Sequence, residues 1–270
     1  MSNNGYVIHS NLGNMGRCGN QLFQIAATIG HATKFNMNFR FLETYVNDFN
    51  NSISKYTDQI QHFILKQSDR NNEAQIVENG FNYHEHQLNP HQNYDLNGFF
   101  QCERYWYHCT QTVANFFAPK ASVMSEIPEP TADVAIHIRR GDYIGSKFHD
   151  VGLCENGYYL QGYQKLGCKK TDIYSDDPEW CEKNLRGIGT NVNVIRTHPD
   201  PFLTIHQMAR YKNHVTSNSS FSWWAAWLSK YLYKTAPAII MPKTWFTWNY
   251  IQLDHDKCNP TCYIGGCLKL

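Results

Sequence analysis

Two adjacent arginines, Arg139 and Arg140, close a short apolar run in this 270-residue chain and open its most chemically specific stretch, Val134 through Tyr143. Arginine presents a planar fork of five N–H donors that matches a phosphate bidentately, so a pair delivered to one point suits an anion site, and in particular a pyrophosphate. A solvated charge pair after a core strand would look the same in isolation. His137 shifts that balance, because it lies between Ile136 and Ile138 on the expected polar face beside Arg139. The element that must position these groups is legible too. Alternation at Val134, Ile136 and Ile138 predicts a short buried strand, and Gly141 carries the chain into a loop. Ligands of open α/β sheets bind at the carboxyl ends of strands, which is where both arginines fall.

Two later stretches repeat this logic. Asp172–Ser175 reads as a strand that runs into Asp176 and Asp177, and Pro178 suits the first position of a helix. His214–Thr216 reads as another short strand, followed by the hydroxyl-rich Ser217–Ser222 and the apolar Trp223–Leu228. Hydroxyls and unsatisfied N–H groups at such a helix start can hold an anion, although alone they would be an ordinary capping run. Three such loops at successive strand ends point to a nucleotide-phosphate pocket. For a proton acceptor the nearby groups are Asp142, then His149, then Glu155; Asp142 equally suits a structural role, accepting from Arg140 to fix the loop.

The remaining pattern supplies the scaffold. Tyr6–Ile8 reads as a strand, followed by a glycine-punctuated turn and by Asn20 as the N-cap of a helix bearing Leu22, Phe23, Ile25, Ala26 and Ile29. Asn38–Leu42 reads as the next strand, and residues 47–97 as polar and irregular. Gly98–Tyr107 is aromatic-rich, with core packing favoured over a sugar-facing surface. A helical pattern ends at Phe116–Pro119. Further helices are expected over 158–163 and 201–209, and a strand over 192–195. Strands alternating with helices give a parallel, doubly wound sheet.

Composition narrows the function. A formal net charge of +1 leaves no electrostatic footprint for nucleic acid, so phosphate chemistry must be local. The nine cysteines (Cys18, Cys102, Cys109, Cys154, Cys168, Cys181, Cys258, Cys262 and Cys267) are too scattered for a small disulfide-framed domain, and reduced thiols are expected. Neither a signal peptide nor a membrane span is evident, so a soluble, cytoplasmic protein is expected, with peripheral association at a membrane left open. No metal is expected. His84, His86 and His91 read as solvated loop residues, and Asp254-His255-Asp256 lacks a preceding apolar strand. Cys258, Cys262 and Cys267 lack a clear fourth zinc ligand, and suit thiols or, in an oxidising compartment, a local disulfide.

Taken in order, His137–Tyr143, Tyr174–Trp180 and Ser217–Leu228 resemble the motifs of the α1,2-fucosyltransferases of glycosyltransferase family 11. Gly16-Arg17-Cys18-Gly19-Asn20-Gln21-Leu22-Phe23-Gln24 is similar to that family's Gly-x-x-Gly-Asn-Gln-Leu-Phe-Gln stretch, and Gly98–Gln101 and Met241–Phe246 fall where it has comparable segments. The likeness spans roughly residues 16–246 and departs at Cys18 and in the tail after Asn249. It implies an α/β, GT-B-like fold of two Rossmann-type domains with parallel sheets facing a cleft. The boundaries that go with it are residues 1–120 for an acceptor-side domain, 121–131 for a linker, 132–235 for a GDP-fucose-binding domain, and 236–270 for a return segment and tail. It implies inverting, metal-independent transfer of L-fucose from GDP-fucose, with no cofactor, to a glycan hydroxyl, the 2-hydroxyl of galactose being expected. Carried across, Arg139 would hold the β-phosphate with Arg140 beside it, and His137 and Asp176 or Asp177 would contact the nucleoside. Ser219 or Ser220 would bind the diphosphate, and Arg17 and Asn20 would close the cleft from the other domain. Two rival readings remain: a non-catalytic glycan- or nucleotide-sugar-binding module, and a transferase using another sugar nucleotide.

Overall fold

The computed structural model describes residues 4–167, 169–185, 191–247 and 262–270; Cys168, Cys258 and the Asp254-His255-Asp256 triplet lie outside them. The chain divides after Glu126 into two compact units.

In the first unit, β1 (Tyr6–Ile8) leads through the glycine turn into α1 (Cys18–Lys34), which buries Leu22, Phe23, Ile25, Ala26 and Ile29. The helix starts before Asn20, not after it. Gly16 takes a left-handed φ of +85°, and the carbonyl of Arg17, the extended N-cap residue, accepts from the N–H groups of Asn20 (2.9 Å) and Gln21 (3.1 Å). Asn20 is thus in the first turn, and its side chain is turned to other use. The expected strand over 38–42 is divided at Arg40. β2 (Asn38–Phe39) pairs with β1, while β3 (Phe41–Leu42) leads through α2 (Glu43–Val46) and α3 (Ser52–Tyr56) to its own partner, β4 (Ile64–Leu65).

The stretch read as irregular holds two more strands, β5 (Glu73–Val77) and β6 (Asn93–Asn97), completing a sheet of order β2-β1-β6-β5 in which every pair is parallel. Polar residues hid them. Asp95 is buried on β6 because the Ser10 N–H (2.8 Å), Arg70 (3.2 Å) and Gln75 (3.1 Å) all donate to its carboxylate. His86 is half-buried rather than solvated, with its Nδ1 3.0 Å from Nε2 of His31. Phe100 and Trp106 are fully buried, as core packing requires, whereas Tyr107 is exposed. α4 (Thr110–Phe116) ends the aromatic stretch, and α5 (Ala121–Met124) occupies part of the segment read as a linker.

The second unit begins with β7 (Val134–Ile138), then α6 (Tyr158–Lys165), β8 (Thr171–Ser175), α7 (Pro178–Leu185), β9 (Val192–Val194) and α8 (Pro201–Ala209). β10 (Asn213–Val215), α9 (Ser220–Tyr231), β11 (Ala238–Met241) and β12 (Leu268–Lys269) follow. Its sheet runs β12-β11-β10-β7-β8-β9, all parallel. β8 and β9 extend it to one side of β7, and β10 restarts it on the other. The strand order therefore reverses between β7 and β10, the crevice where doubly wound sheets place their ligands. β7 is buried at all five positions, as a central parallel strand covered on both faces must be, so His137 lies in the interior and not on a polar face. α9 packs Trp223, Trp224 and Trp227 with no exposure. Both units are thus α/β with parallel sheets. Among the described residues, no helix is long and apolar enough to cross a membrane.

Candidate functional site

Register decides what meets at the switch point. Ile138 is paired with Ser175, so the residues that follow, Arg139 and Asp176, leave adjacent strand ends together. Arg139 Nη1 lies 2.9 Å from Asp176 Oδ2, and its Nη2 lies 2.5 Å from Asp142 Oδ1. Asp142 therefore pairs with Arg139, not with Arg140 as the sequence suggested. Arg140 turns the other way: its Nε lies 3.0 Å from Asp177 Oδ2, and its guanidinium stacks 3.7 Å from the centre of the Trp180 ring. The Arg140 N–H donates to Asp176 Oδ1 (2.9 Å), which ties the two strand ends together. Gly141 lies close against this carboxylate, and a Cβ there would come within 2.4 Å of Asp176 Oδ2.

On the β10 side, Val215 is paired with Ile136, which brings Ser217 to His137; Nδ1 of His137 and Oγ of Ser217 share a hydrogen bond of 2.9 Å. Burial, helped by the Arg139 charge, pushes His137 down to about 3, so its ring is neutral and serves as a polar contact rather than a cation. Ser219 is the N-cap of α9, its Oγ accepting from the Phe221 N–H (3.3 Å), and Ser220 is the first helical residue. The N-terminal turn of α9 therefore lies at the carboxyl end of β10, with its N–H groups and positive dipole end.

His149 joins through two intermediaries that the sequence did not single out. Its ring stacks on Tyr143 (4.8 Å), and its carbonyl accepts from Asn218 Nδ2 (3.0 Å), while the Tyr143 hydroxyl donates to the Asn218 carbonyl (3.2 Å). Burial holds His149 below its ordinary value, and its buried Nδ1 has no hydrogen-bond partner among the described residues. A small cavity lined by Arg139, Tyr143, His149, Glu155 and Asn218 brings the third base candidate to the same place. On the other flank of Arg139, a pocket of about 190 Å³ is lined by His137, Ser175, Asp176, His198 and Phe221. Asn218 stands inside a motif the sequence made conspicuous, and His198 had no local signal.

Arg17 and Asn20 belong to the first unit. Asn20 Oδ1 accepts from Gln101 Nε2 (2.9 Å), and a Cβ at Gly16 would come within 2.3 Å of Asn20 Nδ2, which explains the glycine. The structure thus gathers His137, Arg139, Arg140, Asp142, His149, Asp176, Asp177, Ser219 and Ser220 in one unit, and it joins Asn20 to Gln101 in the other.

A parallel-sheet unit with an arginine fork at its switch point suits a phosphate-bearing ligand, and sequence comparison supplies the family. The chain belongs to glycosyl transferase family 11, whose profile matches residues 14–251. An Escherichia coli alpha-1,2-colitosyltransferase is 33% identical over 165 residues, covering 55% of each chain. The Escherichia coli O-antigen biosynthesis glycosyltransferase WbnK is 32% identical over 133 residues, covering 46% of this chain and 42% of that one. The matches span about half the length of these relatives. Among solved structures, POFUT1 in its apo form aligns over 88% of this chain and 98% of that chain, with 13% identity and a TM-score of 0.47. POFUT1 in complex with GDP aligns over 88% and 99%, with 12% identity and a TM-score of 0.48.

Proposed function

We propose that this glycosyltransferase carries out inverting, metal-independent transfer of L-fucose from GDP-fucose to a glycan hydroxyl, the 2-hydroxyl of a galactose residue. The observation that carries the reading is the Arg139 fork at the β7–β10 crevice, with a pocket of about 190 Å³ beside it. As the acceptor oxygen bonds to the anomeric carbon, the bond to the β-phosphate oxygen breaks and negative charge grows on GDP. A guanidinium aimed at that oxygen strengthens its contact as the charge develops, which is the differential binding that lowers a barrier. The acceptor proton goes to Asp142, with His149 and Glu155 as the next candidates. The α1,2 linkage in the name of the colitosyltransferase supports a 2-hydroxyl acceptor.

That same name favours a second reading, in which a deoxysugar other than fucose is transferred. The deciding experiment is a panel of GDP-sugars against a glycan acceptor array, with and without EDTA. Transfer of fucose that persists in EDTA is expected. Transfer from another donor alone would favour the second reading, and activity abolished by EDTA and restored by manganese would overturn the arginine-centred mechanism.

A further inference from the structure

The charges around Arg139 do not suit a diphosphate as they stand. Arg139 and Arg140 face three carboxylates, and both terminal nitrogens of the Arg139 fork are taken, Nη1 by Asp176 and Nη2 by Asp142. A diphosphate brought to this fork meets a cation already neutralised, with a carboxylate on the nitrogen it needs. A diphosphate that takes the fork bidentately competes with one of these carboxylates, and the two differ in how they are held. Asp176 is fixed: its second oxygen accepts the Arg140 N–H, Gly141 packs against it, and its side chain is 24% exposed. Asp142 is 52% exposed and stands on the loop directly after Gly141.

We propose that Asp142 is an internal stand-in for phosphate, displaced from Arg139 Nη2 by the diphosphate of the donor, and that Asp176 stays to aim the fork. This rests on the nucleotide-diphosphate reading given above. Two functions follow from one exchange. Without donor, the Asp142 carboxylate is tied up in an ion pair; with donor bound, it is released beside the leaving group and becomes able to take the acceptor proton. Donor binding therefore precedes productive acceptor binding. The exchange also sets the donor affinity below what the bare fork would give, because the carboxylate competes for the same N–H groups.

The proposal predicts an effect of opposite sign to that of an ordinary brace. Asp142→Asn removes the competing charge, so GDP should bind about tenfold more tightly in calorimetric titration while turnover falls. Asp176→Asn, which loosens the aim of the fork, should weaken GDP binding. If Asp142→Asn binds GDP no better than wild type and keeps its thermal midpoint, the exchange is wrong. Should that variant fail to fold, the wild-type complex with GDP decides: Asp142 is expected to have left Nη2, and a retained Arg139–Asp142 pair overturns the proposal. Inorganic pyrophosphate is titrated in parallel. Pyrophosphate binding that tightens in Asp142→Asn without any binding of GDP would sink the nucleotide reading and keep the exchange, whereas no binding of either anion to either protein sinks both.

Discussion

In the proposed reaction, Arg139 acts through its shape more than its charge. Asp176 holds one terminal nitrogen and fixes the plane of the guanidinium, a geometry that a lysine ammonium cannot reproduce. Arg139→Lys should therefore lower kcat on the order of a hundredfold or more, the scale seen when a preorganised charge-stabilising donor is lost, with a smaller effect on KM. Near-normal kcat in the folded variant would refute the assignment. Arg140→Lys should act differently, since Arg140 braces α7 through Asp177 and the Trp180 ring. Losing that stack should cost about 1 kcal/mol and lower the thermal midpoint by about 2–4 °C, with kcat changed less than in Arg139→Lys. Both arginines stood out in the sequence because residue type and position after a strand were visible. It could not show which carboxylate each would take, because Asp142, Asp176 and Asp177 all lie within one loop's reach and only the β7–β8 register separates them.

Elements with one clear period were legible in the sequence. β7, α7 with Pro178 at its start, and α8 over the expected 201–209 all stand where spacing and the Pro178 position put them. β5 and β6 did not stand out, because their burial depends on partners distant in sequence. Glu78, just after β5, shows how such partners hold the fold. Its Oε2 accepts from the Phe99 N–H at 2.6 Å, which pins the turn in which Phe100 takes a left-handed φ of +51° while fully buried. That same turn leads into Gln101, the partner of Asn20. Glu78→Ala should leave a half-buried N–H without its acceptor and cost about 1–3 kcal/mol in denaturant unfolding, with faster hydrogen exchange at Phe99. An unchanged exchange rate at that amide would show that Glu78 does not hold the turn. No local pattern marks Glu78 in the sequence, since nothing in Val77-Glu78-Asn79 says that a carboxylate will meet a backbone twenty-one residues on.

At the scale of the whole molecule, buried histidines in both units make the fold sensitive to acid. His31 in the first unit is pushed down to about 4, and His137 and His214 in the second to about 3 and about 4, in each case chiefly by burial. All three are neutral in the fold and take up protons below about 6.5 when it opens. Their contribution to stability is therefore complete above that value and is lost as pH falls toward the folded values, each histidine adding a slope of up to about 1.4 kcal/mol per pH unit. Glu78 has the opposite sign. Burial raises it to about 7 from an ordinary 4.5, so the fold holds a proton that the open chain releases, and this contribution is lost as pH rises from about 4.5 to about 7. Between pH 6.5 and 4.5 it therefore offsets part of the histidine contribution, to which His9, also lowered by burial, adds. Acidification over this window should thus lower the thermal midpoint, which calorimetry at a series of pH values would resolve. His214→Gln should flatten this pH dependence, even if it lowers stability at pH 7. A midpoint that stays level from pH 7 to 4.5 would mean that these imidazoles are not held neutral by burial.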